Sequence, residues 1–107
     1  MRIEVHDGPM KSTPAFLTFI NDRLTVALDR FSPRVAAVYV KVEDANGPRG
    51  GSDKHCALRA RLHRGGVILA GEHDTDYYSA FDRAISKLKV ALAKEVDRKK
   101  RSVHRGR

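Results

Sequence analysis

Three stretches in which polar and apolar residues alternate predict β-strands, and an apolar stretch after a glycine turn predicts a fourth. In the first stretch, Ile3 and Val5 fall on one side of an extended chain, and a period of two is typical of a strand with one buried face. Glycines and prolines separate the stretches, as expected of turns and loops. The predicted strands are residues 2–6, 35–43, 54–63 and 67–73.

The alternation also predicts which sides of the second and third strands face the core. Successive side chains of a strand point to opposite faces, so the valines and leucines define the inner face. The expected inner residues are Ala36, Val38, Val40, Val42, Cys56, Leu58, Ala60 and Leu62. The expected outer residues are Tyr39, Lys41, Glu43, His55, Arg59, Arg61 and His63.

Apolar residues at helical spacing predict a first helix that begins at Pro14. Ser12 or Thr13 caps it, because a hydroxyl accepts a hydrogen bond from a free amide and proline suits the first helical position. The dipeptide Ser32-Pro33 ends it. Its apolar stripe consists of Phe16, Ile20, Leu24, Ala27, Leu28 and Phe31.

A second and longer helix is predicted from Asp74 onward. Thr75 or Asp76 is its expected cap. At least one ring of the pair Tyr77-Tyr78 is expected to pack with the apolar stripe. The stripe consists of Tyr78, Phe81, Ile85, Leu88, Leu92 and Val96.

The element order is therefore β-α-β-β-β-α, which predicts an α+β fold. A helix separates the first two strands, so they are expected to pair in parallel, whereas loops link strands two to four, which should be antiparallel. Two helices packed on one face of this four-stranded mixed sheet would bury the apolar stripes. A chain of 107 residues fits one domain. We assign residues 1–101 to the domain and residues 102–107 to a basic, flexible tail.

The charge of the chain points to a polyanionic partner. Lysine and arginine number 21 against 13 aspartates and glutamates, which gives a formal net charge of +8, and such a balance favours nucleic acid. No apolar run approaches the ~20 residues that span a bilayer, and the first residues do not form a signal peptide. We expect a cytoplasmic protein with no membrane partner and no small-molecule substrate.

The sequence gives no indication of catalysis, a metal site or another cofactor. Cys56 is the single cysteine, so no CxxC pair exists. His55 and Cys56 are adjacent in a predicted strand and point to opposite faces, which prevents joint coordination of a metal ion. The carboxylates before the second helix have a simpler role, since negative charge stabilises a helix N-terminus.

A basic ridge on the second helix is the most specific candidate site. At about 100° per residue its members fall within an arc of roughly 60°, away from the apolar stripe, and the arc contains no acidic residue. Solvated faces usually mix both signs, so we favour polyanion binding over plain solvation. The ridge consists of Arg83, Lys87, Lys94, Arg98 and Arg101.

Basic residues on the first helix and on the sheet are weaker candidates. Arg23 and Arg30 lie seven residues apart with an aspartate beside each, so ion pairing is as good an explanation as ligand binding. Arg59 and Arg61 share the outer sheet face with Tyr39, and such a face stacks bases in some RNA-binding proteins. An ordinary polar sheet surface is the favoured explanation there.

The segment NGPRGGSDKHC, residues 46–56, is a glycine-rich connection between strands two and three. A Walker-type phosphate loop needs GxxxxGK[ST] between a strand and a helix, and neither the spacing nor the following element matches. Arg49 and Lys54 bring positive charge to this connection. Contact with a phosphate backbone and a plain solvent loop are equally weighted explanations.

One long pattern on the second helix is similar to that of a known family. Residues 76–101 read DYYSAFDRAISKLKVALAKEVDRKKR. With the order β-α-β-β-β-α, this stretch resembles the ribosome hibernation promoting factor and ribosome-associated inhibitor family, and GPRGG resembles the loop of one subset of it. The matching positions are Asp76, Tyr78, Ser79, Ala80, Phe81, Asp82, Lys87, Leu88, Leu92, Lys94 and Arg98.

The resemblance implies a non-catalytic protein that binds the small ribosomal subunit. Members of the family occupy the channel near the decoding centre, contact rRNA through basic residues, and exclude mRNA and tRNA during dormancy or stress. The chain is too short for the dimerisation domain of the long form, so we expect a monomer. The family's basic positions match Lys87, Lys94 and Arg98, with Arg23 matching a basic site on the first helix. Together with the cations considered above, the candidate rRNA contacts are Arg23, Arg30, Arg49, Lys54, Arg59, Arg61, Arg83, Lys87, Lys94, Arg98 and Arg101.

Two other functions remain open at this point. A general double-stranded RNA-binding domain also has three antiparallel strands and two helices, but it places lysines at the start of the last helix, where Asp74 and Asp76 stand here. A small enzyme that uses His63 or His73 is less favoured still, because neither histidine has a paired nucleophile or a cofactor motif.

Overall fold

The computed structural model describes residues 1–6, 13–44 and 54–105, with side chains up to Arg98. Six main elements follow in the predicted order β-α-β-β-β-α. They are β1 (Arg2–His6), α1 (Pro14–Ala27), β2 (Val35–Asp44), β3 (Lys54–Leu62), β4 (Val67–Asp74) and α2 (Tyr77–Arg105).

The four strands form one mixed sheet in the order β1-β2-β3-β4. Strands β1 and β2 pair in parallel, and the other two pairs are antiparallel, as predicted. Both helices bury their apolar stripes against one face of the sheet, so the α+β prediction is confirmed. The largest fully buried side chains include Ile20 and Leu24 of α1, Phe81, Leu88 and Leu92 of α2, and Leu58 of β3.

Side-chain caps fix the starts of both helices. The hydroxyl of Thr13 accepts a hydrogen bond from the Phe16 amide at 3.1 Å, so Thr13 rather than Ser12 is the cap of α1. The Asp76 carboxylate accepts hydrogen bonds from the amide and the hydroxyl of Ser79, both at 3.1 Å. Asp76 therefore caps α2, and the alternative cap at the preceding threonine is not used.

Helix α1 is shorter than predicted, because its last apolar residues lie in a separate turn. The α-helix ends at Ala27, and a 3-10 turn, Asp29–Phe31, follows it. Such tight turns are common at helix ends. Leu28 and Phe31 remain buried, so the change in helix type preserves the predicted apolar contacts.

The inner face of β2 begins one residue earlier than predicted. The register with β3 is irregular between Val35 and Ala37, and a β-bulge of this kind shifts the alternation of faces. Val35 is fully buried, whereas Ala36, which we expected to face the core, is only half-buried. The other predicted inner residues of β2 and β3 are buried.

The two tyrosines at the start of α2 divide their roles. Tyr77 packs against the core cluster, whereas Tyr78 remains 39% exposed. The Tyr78 ring still meets Phe19 edge-on, with ring centres 4.6 Å apart. The pair therefore includes one core ring, as expected, but it is Tyr77 and not Tyr78.

Helix α2 extends well beyond its buried segment. Leu92 is its last fully buried described residue and Val96 is half-buried, yet the helix continues to Arg105. It thus includes residues 102–105, which the sequence assigned to a flexible tail; the domain boundary at residue 101 stays a prediction. Within the described residues, no helix is both long and apolar enough to cross a bilayer.

Candidate RNA-binding surfaces

The first half of the basic ridge on α2 lies beside carboxylates of β4. The Lys87 ammonium is 2.7 Å from Glu72, and the Arg83 guanidinium is 3.3 Å from Asp74 and 3.6 Å from Glu72. Glu72 is largely covered, with 13% of its side chain exposed. The helix itself has no acid inside the ridge, but the neighbouring strand supplies two.

These carboxylates are held in their charged form. The hydrogen bond from Lys87 is the main cause that lowers the pKa of Glu72. The backbone amide of Thr75 is the main cause that lowers the pKa of Asp74, and Arg83 adds to it. Both acids therefore neutralise the ridge at physiological pH, and an RNA phosphate would have to compete with them.

The second half of the ridge is less neutralised. Arg98 pairs with Glu95 on its own helix at 2.8 Å, whereas Lys94 is exposed and has no ion pair in the described part of the chain. The side chain of Arg101 lies outside the described residues. Of the five predicted ridge residues, Lys94 is therefore the one described cation that is available without breaking an ion pair.

The two arginines predicted on the first helix each lie over an aromatic ring. The Arg23 guanidinium is 4.8 Å from the centre of the Phe19 ring and 3.4 Å from Asp82 of α2. Arg30, in the 3-10 turn, lies 4.6 Å from the centre of the Phe31 ring. Arg23 thus helps to join the helices, while Arg30 keeps an unpaired charge in the described structure.

Lys54 has a structural role at the start of β3. Its ammonium pairs with Asp44 of β2 at 2.9 Å and lies 5.8 Å from the centre of the Tyr77 ring. The ion pair closes the end of the β2–β3 hairpin. Arg49 falls in the segment outside the described residues, so its place as a candidate contact stays a prediction.

The outer face of the sheet, opposite the helices, carries a different set of cations. Tyr39, Arg59 and Leu69 stand opposite one another on β2, β3 and β4. The Arg59 guanidinium lies 4.9 Å from the centre of the Tyr39 ring. Lys41 and Arg61, in the neighbouring rows, are exposed. None of the three outer-face cations has a carboxylate partner within the part of the chain that the structure describes.

A shallow groove of about 720 Å³ crosses this outer face. Alanine and glycine at positions 57 and 71 lie along it, and Leu69 forms part of its wall with 69% of its surface exposed. Exposed apolar surface therefore lies next to the cations of this face. The groove is lined by Glu4, His6, Tyr39, Val40, Lys41, Ala57, Leu58, Arg59, Leu69, Ala70 and Gly71.

The structure separates His55 from Cys56, which lie on opposite faces of β3. His55 faces Glu43 at 3.8 Å and stands opposite His73 in the sheet. Among the described residues, no group of three or more histidine, cysteine, aspartate or glutamate side chains is arranged to hold a metal ion. Cys56 is fully buried, and burial raises the pKa of its thiol to about 12, so it is an inert core residue.

Residues 3–100 match the family model described as sigma 54 modulation protein / S30EA ribosomal protein. The chain belongs to this family. The match covers the sheet from Ile3 onward and α2 up to residue 100, so it includes the outer face and every ridge residue except Arg101. Comparison with curated protein sequences gives no significant match.

Solved structures with the same fold include two close in size to this S30EA-family chain. A ribosomal subunit interface protein from Coxiella burnetii superimposes with a TM-score of 0.76 at 18% identity, over 91% of this chain and 99% of that one. The N-terminal domain of Thermus thermophilus Protein Y gives a TM-score of 0.72 at 21% identity, over 88% and 98%. At these identities the likeness shows the fold.

Sequence reasoning missed two exposed arginines at the end of the sheet where the β3–β4 turn lies. The His63 amide donates a hydrogen bond to the Arg34 carbonyl at 2.9 Å, which places Arg34 beside the turn that carries Arg64. Both are exposed and lack an ion pair in the described structure. Neither falls in a periodic element, so only knowledge of the strand order brings them together.

Proposed function

We propose that this S30EA-family protein binds the small ribosomal subunit through its rRNA, near the decoding channel, and blocks translation during dormancy or stress. It acts by occupying space and contacting phosphates, without catalysis and without a cofactor. The expected form is a cytoplasmic monomer. The proposal combines the family match with the distribution of unpaired positive charge.

The observation that carries the proposal is a set of exposed basic side chains without a carboxylate partner among the described residues. Cations of this kind release counterions when they meet a phosphate backbone, which is the main source of affinity for RNA. An ion-paired cation first has to exchange partners. The unpaired set comprises Arg30, Arg34, Lys41, Arg59, Arg61, Arg64, Lys89 and Lys94.

The comparisons support a ribosomal partner in particular. The matched family carries the description S30EA ribosomal protein, and one structure with the same fold is that of a ribosomal subunit interface protein. General affinity for polyanions would explain the charge alone. The two descriptions favour a ribosomal surface over an unspecified nucleic acid.

The candidate rRNA contacts divide into two groups on this proposal. Arg59, Arg61 and Lys94 contact phosphates directly, because no described carboxylate competes for them. Arg83 and Lys87 contribute only after leaving the β4 carboxylates. Arg23, Lys54 and Arg98 stay candidates with a described carboxylate partner. Arg30 stays a candidate without one, and Arg49 and Arg101 stay candidates on sequence grounds.

Fractionation of a stationary-phase lysate on a sucrose gradient tests the proposed function. The protein should migrate with small subunits at low salt and move to the top of the gradient at high salt, since phosphate contacts are screened. Wild-type protein found only at the top in low salt would contradict the proposal.

A further inference from the structure

We propose that the groove on the outer sheet face holds an unpaired base of single-stranded RNA, stacked against the Arg59 guanidinium. The proposal rests on the proposed function, because it names the kind of RNA that this face accepts. It assigns different kinds of RNA contact to the two faces of the molecule. The helix ridge offers only charges to a backbone, whereas the outer face also offers surface to a base.

The Tyr39–Arg59 contact supplies a stacking platform. The guanidinium lies 4.9 Å from the centre of the Tyr39 ring, which restrains a long side chain on the open side of the sheet. Arg59 is exposed, while Tyr39 is half-buried beneath it. Proteins that read single-stranded RNA stack bases on guanidinium planes as well as on aromatic rings. A base on this face would therefore stack on the exposed side of the Arg59 guanidinium.

The next row of the sheet leaves room for the base. Lys41, Ala57 and Gly71 stand opposite one another on β2, β3 and β4, and the two smaller residues form a depression between longer side chains. A methyl group added at Gly71 would make ordinary van der Waals contact with the Cys56 carbonyl at 3.6 Å and with the His55 ring at 3.7 Å, so the His55 ring borders the depression on one side. Leu69, in the Arg59 row and 69% exposed, offers apolar contact to the edge of a ring.

The charges around the groove suit the phosphates on either side of that base. Glu4 pairs with Arg2, and Glu43 lies 3.8 Å from His55, so the positive charge without a described carboxylate partner on this face comes from Lys41, Arg59 and Arg61. A duplex presents mainly phosphates and sugars, because its bases are stacked inside. A face that combines unpaired cations with exposed apolar surface is therefore complementary to a single strand.

The substitution Gly71→Val tests the groove without changing any charge. Gly71 does not have a positive φ, so the backbone accepts a side chain, and valine favours strands. Leu69→Ala is a second variant that removes an exposed side chain and leaves the core intact. Val90→Ala, on α2 and away from the sheet face, is the matched control.

Fluorescence anisotropy with a labelled single-stranded RNA of about ten nucleotides and a hairpin duplex of equal charge gives the readout. Wild type should prefer the single strand. Both groove variants should weaken single-strand binding by about fivefold or more, the effect of losing one stacked base, and leave duplex binding unchanged. The Val90→Ala control should match wild type in both assays.

Two results would overturn this inference. One is equal affinity of wild type for the single strand and the duplex, with no effect of Gly71→Val or Leu69→Ala. The other is a loss of small-subunit binding in these variants without any loss of single-strand binding, which would assign the groove to a ribosomal protein. If wild type fails to bind small subunits but its single-strand binding depends on the groove, the proposed function fails while the groove assignment stands.

Discussion

Two pairs of basic residues that look equivalent in the sequence should differ in their contribution to rRNA binding. We compare two double variants. One carries Arg59→Gln and Arg61→Gln on the outer sheet face, and the other carries Arg83→Gln and Lys87→Gln on the helix. Each double variant removes two positive charges and keeps much of the side-chain stem. The outer pair has no described carboxylate partner, whereas the helix pair lies within 3.6 Å of the β4 acids.

The salt dependence of binding gives the size of the expected loss in affinity. Each phosphate neutralised contributes about 0.7 to 0.9 to the slope of log affinity against log salt concentration, so losing two contacts reduces the slope by about 1.4 to 1.8. Between about 50 and 200 mM salt, this amounts to a change of about 7- to 12-fold in relative affinity. Arg83 and Lys87 together with the two β4 carboxylates sum to zero charge. Replacing these two cations should therefore reduce the salt-dependence slope by less than half as much as replacing the outer pair.

Pelleting with purified small subunits over a salt series measures both slopes. Unbound protein is quantified in the supernatant, and circular dichroism confirms that each variant is folded. The reasoning is refuted if both double variants reduce the salt-dependence slope equally, or if the helix double variant reduces it more. Either result would mean that the β4 carboxylates do not shield the ridge from RNA.

Three further predictions concern the fold that supports these surfaces. The Cys56 thiol should stay unreactive toward a disulfide reagent at pH 8 and react only after denaturation, because burial raises its pKa to about 12; rapid reaction of folded protein would contradict this. The pKa of Glu72 is lowered mainly by the hydrogen bond from Lys87, and that of Asp74 mainly by the backbone amide of Thr75. These contacts should therefore stabilise the fold above about pH 4.5 and lose this effect as the pH falls through the lowered pKa values. Urea titrations should show Glu72→Gln to be less acid-sensitive than wild type, and an identical pH profile would count against the Glu72 contact. Leu88→Ala should lower the free energy of unfolding by about 2–5 kcal/mol, whereas Val90→Ala, on the opposite side of the helix and 55% exposed, should change it by less than about 0.5 kcal/mol. Equal effects would show the helix face to be assigned wrongly.

The alternation of apolar residues predicted the sheet well because one face of each strand is buried. Every inner position predicted on β3, from Cys56 to Leu62, is buried. The prediction was wrong at Ala36, where a bulge inserts one residue and restores Val35 to the inner face. A bulge depends on how two strands fit together, and no spacing in the single strand marks it.

A helical projection could not identify the carboxylates that pair with the ridge. Such a projection places Arg83 and Lys87 correctly on one exposed arc, but it contains only residues of the same helix. Glu72 and Asp74 approach from β4, on the far side of a turn, and point to the helix side of the sheet. The sequence therefore predicted where the cations are, and the tertiary structure decides which of them are neutralised.

Chemical footprinting of rRNA tests the central claim most directly. Small subunits are probed with hydroxyl radicals with and without the protein, at low and at high salt. We predict protection of small-subunit rRNA around the decoding channel that disappears at high salt. An unchanged cleavage pattern at saturating protein, or protection confined to rRNA remote from that channel, would contradict the account.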